Sequence, residues 1–206
     1  MTPARALLAA LMLSLLSGCS ALLGGAATPL DAYELRAPQV SVASRATARS
    51  LVIEPPGASG ALDTDRIMIR PNPVQAQYLP GVRWTDQAPT MLQNVLLRAF
   101  EDTNALRYVG RRPLGGLGDL ALISELTDLQ AEIGPDGEAT ARIRVTARLV
   151  RESDAAVLSS RSFQASAQVA STETMEVVQG LNAASDAVVG EMVVWVLRQI
   201  GVRPTS

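Results

Sequence analysis

The sequence predicts an α+β domain: an antiparallel β-sheet with two main helices packed on one face, as a two-layer sandwich. Three observations lead there. From Ala139 to Leu149 the odd positions are Ala139, Ala141, Ile143, Val145, Ala147 and Leu149, and the even ones are Thr140, Arg142, Arg144, Thr146 and Arg148. Alternation of period two over eleven residues marks a strand buried on one face only. Two other stretches, residues 87–104 and 173–200, place their apolar residues at helical spacing. The apolar stripe of a helix needs a partner surface, and the apolar face of a sheet supplies it.

In chain order, residues 33–36 and 50–54 read as short strands, the second stopped by Pro55-Pro56-Gly57. Asp63-Thr64-Asp65 lies in a loop before Arg66-Ile67-Met68-Ile69-Arg70, an extended segment cut by Pro71 and Pro73, with residues 74–79 as its return partner. In the first helix Leu92, Val95, Leu96, Ala99 and Phe100 share one face. Thr85 or Asp86 is expected to cap it, with Pro89 tolerated in its first turn. Residues 107–110 read as a strand, and residues 119–133 as a longer one. Pro135-Asp136-Gly137 and Ser153-Asp154-Ala155 are turns, so residues 119–133, 139–149 and 157–169 form an antiparallel meander. The closing helix carries Val177, Leu181, Ala184, Val188, Met192, Trp195 and Val196 as its stripe.

The N-terminus is of another kind. A start charged only at Arg5, an eleven-residue apolar run (6–16) and Ser17-Gly18-Cys19 follow the order of a secretory signal. The run is shorter than the roughly 20 residues a membrane-spanning helix needs. Leu16-Ser17-Gly18-Cys19 is similar to a lipobox, in which the thiol is acylated and the chain is cut just before it. Residues 1–18 are therefore expected to be removed and Cys19 to carry a lipid anchor, stable once it has two or more acyl chains. Residues 19–31 form a tether rich in Ala and Gly, with a reach of roughly 40 Å. Residues 32–202 form the domain.

Composition narrows the chemistry. All 18 basic residues are arginine; the chain has no lysine and no histidine, and Cys19 is its one cysteine. Cleavage takes the formal net charge from −2 to −3, which offers no field for gathering nucleic acid. Imidazole bases, histidine zinc ligands, Schiff-base lysines and intrachain disulfides are all excluded. Gly115-Gly116-Leu117-Gly118 precedes a strand and lacks the lysine of a phosphate loop. Asp63-Thr64-Asp65 lacks the glycine and the distant glutamate of a calcium loop. The expectation is a non-enzyme without metal or cofactor, apart from the covalent lipid on Cys19.

Two groups of residues are candidates for contact. Arg66, Tyr78, Arg83 and Trp84 cluster before the first helix, and arginine and aromatic side chains dominate interfaces; for Trp84 a plug for the end of the core is favoured over a contact role. Arg142, Arg144 and Arg148 form a row on the exposed face of their strand, either a solvated face or a dock for an acidic partner or lipid headgroups.

Asp65-Arg66-Ile67-Met68-Ile69-Arg70, then Tyr78, then Arg83-Trp84 entering a helix with Leu92 and Leu96, then Asn182, Ala183 and Trp195, together resemble the auxiliary lipoprotein component of ABC-type transport systems. That family includes the lipoprotein of the paraquat-inducible system, and the likeness runs from about residue 30 to 202. It implies an outer-membrane lipoprotein facing the periplasm, with Ser20 after the cysteine consistent with that sorting. Its implied partners are an inner-membrane ABC permease, its ATPase and a protein with mammalian-cell-entry domains, which move phospholipids or other hydrophobic molecules between membranes. The implied role is a docking module; the alternative is a lipid carrier or envelope-assembly factor with an apolar chamber. Self-association into a ring is a further expectation.

Overall fold

The computed structural model describes residues 29–116, 118–203 and 205. The signal segment, Cys19 and most of the tether lie outside the described residues. Its strands are β1 (Asp31–Tyr33), β2 (Thr47–Ile53), β3 (Gly57–Ala58), β4 (Met68–Asn72), β5 (Gln75–Tyr78), β6 (Val82–Trp84), β7 (Leu106–Gly110), β8 (Leu120–Ile133), β9 (Ala139–Arg151) and β10 (Ala156–Val169). Helix α1 (Ala88–Asp102) separates β6 from β7, and α2 (Thr174–Gln199) closes the chain.

The meander forms as its turns predict. β8 pairs antiparallel with β9 and β9 with β10. Gly137 has φ +79° and donates its N–H to the carbonyl of Gly134 at 3.0 Å, closing the first turn. Every odd position from Ala139 to Leu149 is buried to 0 % exposure. That single-sided burial seats the helices: α2 lies against β9 and β10, while α1 lies against β2 and β7 and touches α2. All seven residues of the α2 stripe are buried, and Trp195 meets Phe163 of β10 edge to face, with ring centroids 5.4 Å apart. By length and composition α2 is apolar enough to cross a bilayer, but its apolar side is spent on this packing.

The other half of the sheet is mostly parallel, which corrects the expected fold. β2, β3 and β4 run parallel to β8 one after another along its second edge, and β7 runs parallel to β2. The order is β10-β9-β8-β2-β7, a mixed sheet, while β1 and β6 make a separate parallel pair. Among the described strands, antiparallel pairing is therefore confined to the β8–β9–β10 meander and the β4–β5 hairpin, the return that Val74 to Leu79 predicted. The reason lies in the connections: α1 and the long excursion from residue 54 to 105 return the chain in the same direction, as parallel neighbours require.

Local corrections have local causes. The first strand ends at Tyr33 rather than Arg36, because the Leu35 N–H turns inward to the sulfur of Met91 at 3.4 Å. β4 continues through Pro71, which falls where its register against β5 shifts, so no ladder bond is asked of the proline. Neither Thr85 nor Asp86 caps α1. Gln87 occupies the cap without a side-chain bond, Pro89 falls in the first turn, and the N–H of Ala88 reaches the carbonyl of Thr64 at 3.0 Å.

Two carboxylates report on this construction. Asp119, just before β8, accepts hydrogen bonds from the Ser50 N–H at 2.7 Å and its hydroxyl at 2.8 Å, which ties β2 to β8. These bonds outweigh burial and, with Arg107 and Arg49 nearby, hold its carboxyl below the usual range. A depressed folded value means that the stabilisation is present above the unfolded pKa and fades as pH falls through the folded one. Asp119→Asn should therefore lower the melting temperature at neutral pH, and the gap to wild type should close on acidification below about pH 4.

Asp186 on α2 behaves oppositely. Its Oδ2 accepts from Asn182 at 3.2 Å, its Oδ1 is buried without a partner, and burial pushes its carboxyl up. Asn182 in turn accepts the N–H of Arg36 at 2.8 Å, fastening the segment after β1 to α2. With a raised folded value, the charged form opposes folding once pH climbs past it. Asp186→Asn should thus raise the melting temperature at pH 7 and give no gain below about pH 4.

Candidate docking surfaces

The loop after β3 and the strands β5 and β6 build the first surface. Tyr78 sits at the end of β5, where the Leu79 N–H bonds the carbonyl of Ile67 at 2.9 Å. Its hydroxyl donates to the carbonyl of Ala61 at 3.0 Å, and the Arg66 guanidinium lies 5.1 Å from the ring centre. That separation is within the range of cation–π attraction. Arg83 reaches Asp65 at 3.7 Å and the carbonyl of Trp84 at 3.3 Å. Arg66, Tyr78 and Arg83 are therefore brought together as an accessible rim.

Trp84 is not part of that rim. Its side chain is 1 % exposed, among the largest fully buried side chains, and its N–H bonds the carbonyl of Asp65 at 2.7 Å. Of the two readings open for this residue, the structure selects the core plug. Alternation on the three-residue β6 decides it: Val82 and Trp84 point inward and only Arg83 outward.

The second surface is the outer face of the meander. The exposed side of β9 carries Arg142, Arg144 and Arg148 as the alternation predicts, with Arg144 and Arg148 the most open. Sequence reasoning missed their partners on β8. Arg142 pairs with Glu132 at 3.0 Å and Arg144 with Asp128 at 3.1 Å. Asp128, Gln130 and Glu132 recur at spacing two, which could have exposed them. A register shift between Leu126 and Asp128 breaks the alternation and hides the pattern.

Gln130, only 1 % exposed, joins the two carboxylates, donating to Asp128 at 3.1 Å and Glu132 at 3.2 Å. Burial raises the Glu132 carboxyl, but the hydrogen bonds from Arg142 and Gln130 and the charges of Arg142 and Arg70 leave it below its usual value. These residues, with Arg70 and Glu138, line an open groove of about 520 Å³. With two of its guanidiniums neutralised, this face is a mixed-charge ladder rather than a purely basic one. Partly exposed ion pairs of this kind contribute about 1 kcal/mol or less each, so the row suits orientation of a partner more than stability.

Among the described residues, no group of three or more Asp, Glu, Cys or His side chains is placed to hold a metal ion.

Comparison with known proteins agrees with the fold. A crystal structure of a Xanthomonas campestris protein of the DUF330 family superposes with a TM-score of 0.75 at 26 % identity, covering 82 % of this chain and 96 % of that one. The crystal structure of an uncharacterised protein superposes with a TM-score of 0.63 at 17 % identity, covering 83 % and 98 %. No curated protein matches in sequence. The model of the ABC-type transport auxiliary lipoprotein component matches residues 33–193, from the end of β1 well into α2. A match over that span, on a mixed sheet closed by a long C-terminal helix, places the chain in the family of ABC-type transport auxiliary lipoproteins.

Proposed function

We propose that this chain is a non-catalytic docking component of an ABC transport system that moves lipids or other hydrophobic molecules between membranes. In this reading the lipid on Cys19 holds it at the periplasmic face of the outer membrane. Its partners are a mammalian-cell-entry-domain protein and, through it, the permease and ATPase. The family match over residues 33–193 carries the reading.

Docking is favoured over lipid carriage by the seam between α2 and the sheet. A carrier needs an apolar chamber, and in a fold of helices on a sheet that chamber lies between the two. Here Ala141 of β9 is 0 % exposed, and a Cβ placed on Gly180 would come within 2.6 Å of Val169 and 3.1 Å of Ala141. No acyl chain, about 4 Å across, fits at that point of the seam. Contact then falls to the rim of Arg66, Tyr78 and Arg83 and to the row of Arg142, Arg144 and Arg148. Assembly of several copies into a ring at the end of a periplasmic bridge completes the proposal.

The test is a mild-detergent pull-down of the lipidated protein from its own cells, with mass spectrometry of proteins and lipids. Recovery of a mammalian-cell-entry protein with its permease is the expected result. Lipid recovered with the chain alone would favour the carrier. If neither appeared and a Cys19→Ala form behaved identically, the docking role would be wrong.

A further inference from the structure

The mixed sheet ends at β7, which pairs with β2 on one side and, among the described strands, with nothing on the other. An edge strand presents alternate N–H and C=O groups outward, a template for another chain. Here that edge opens on a groove of about 760 Å³ whose opposite wall is α1. A helix facing an unpaired strand across a groove is an arrangement that accepts an extended peptide by strand addition.

The side chains define what kind of peptide. Arg98 of α1 and Arg111 and Arg112 just beyond β7 all line the groove and all are exposed, against one lining carboxylate, Glu101. None of the three arginines forms an ion pair among the described residues. Arg111 is steered inward by its bond to the Asn94 side chain. Tyr108 folds back over Gly110 and donates its hydroxyl to the carbonyl of Arg112 at 2.8 Å, which fixes the backbone carrying that guanidinium. The fold-back requires glycine, since a Cβ on Gly110 would lie 2.0 Å from the tyrosine oxygen. Leu97, 6 % exposed, and half-buried Val109 give the groove an apolar strip between these charges.

We infer that the β7–α1 groove binds an extended acidic peptide from a partner protein, its backbone added to the free edge of β7 and its carboxylates received by Arg98, Arg111 and Arg112. A phosphate group would use the guanidiniums but leave the strand edge and the apolar strip unused, which is why the peptide is favoured. The inference goes beyond the transport role proposed above and does not depend on it.

The experiment uses the full chain in mild detergent and a fluorescein-labelled peptide of four Glu-Val repeats, followed by fluorescence anisotropy at low salt. Saturable binding is expected, with amide exchange slowed at Tyr108 to Gly110. The Arg98→Ala/Arg112→Ala double variant should keep the wild-type melting temperature, since both side chains are exposed, and should weaken binding at least tenfold. A peptide of the same charge with alternate amides N-methylated should weaken at least tenfold as well, and four Lys-Val repeats should not bind. Absence of saturable binding overturns the inference. So does equal binding of the methylated peptide, which would show charge attraction without strand pairing. Full displacement by inorganic phosphate, or by vesicles of phosphatidylglycerol in phosphatidylcholine, would make the groove a phosphate or headgroup site instead and equally overturn it.

Discussion

Trp84→Ala is expected to lower stability by about 3–5 kcal/mol, the range for truncating a fully buried aromatic side chain. The residue is 1 % exposed and belongs to the same buried apolar cluster as Ala88, Met91 and Leu92 of α1. Its backbone is fixed on two sides, by pairing of β6 with β1 and by the bond to Asp65, so collapse into the vacated space is limited and the cavity persists. At about 2–4 °C per kcal/mol for a domain of this size, the melting temperature should fall by about 10 °C. Urea unfolding followed by circular dichroism would measure it. A loss under about 1 kcal/mol would contradict the buried placement and return Trp84 to the contact rim. Arg83→Ala, one residue away on the outward side, is the contrast: its weak surface pairing predicts a change within about 1 kcal/mol.

Gly180→Leu should also be damaging, by about 1–3 kcal/mol or more, because α2 meets β9 and β10 here through the absence of a side chain. The decisive comparison is Gly180→Ala. In an unobstructed helix interior, replacing glycine with alanine stabilises by about 1 kcal/mol. At this position the added methyl would press on Val169 at 2.6 Å and Ala141 at 3.1 Å. Val169 can rotate, but Ala141 has no rotamer to give, so the expected sign is a net loss. A gain on thermal unfolding would mean that the seam is looser at this point than these distances indicate.

Much of the fold was legible because it rests on local periodicity. Strand β9 declared its two faces through eleven alternating residues, and its six inward positions are all buried. The α2 stripe was equally plain, since a helix 26 residues long repeats its pattern over seven turns. The turn at Pro135-Asp136-Gly137 was readable because its backbone demands a residue tolerant of positive φ.

Other features were illegible for equally physical reasons. β2, β3 and β4 are short, and residue order says nothing of whether a short strand lies parallel or antiparallel to a distant one; hence the mixed sheet. Neither aromatic character nor position distinguishes a plug from a contact, so Trp84 needed the direction of β6. The ion pairs of Arg142 and Arg144 depend on the register of β8 beyond its shift at Leu126 to Asp128. The groove of Arg98, Arg111 and Arg112 draws on a helix and a strand end that only docking of α1 onto β7 brings together.

By itself, then, the sequence determined which residues turn inward along each long element, because burial follows side-chain direction and direction follows backbone period. It also determined the chemistry available: a chain without histidine or lysine has no imidazole base and no side-chain amine in any fold. Only the tertiary structure decided the neighbours: parallel pairing along β8, the plug at Trp84, the partners of the arginine row and the free edge of β7. Those depend on long-range closure, where strands of similar pattern compete for the same edge and the whole packed core selects among them.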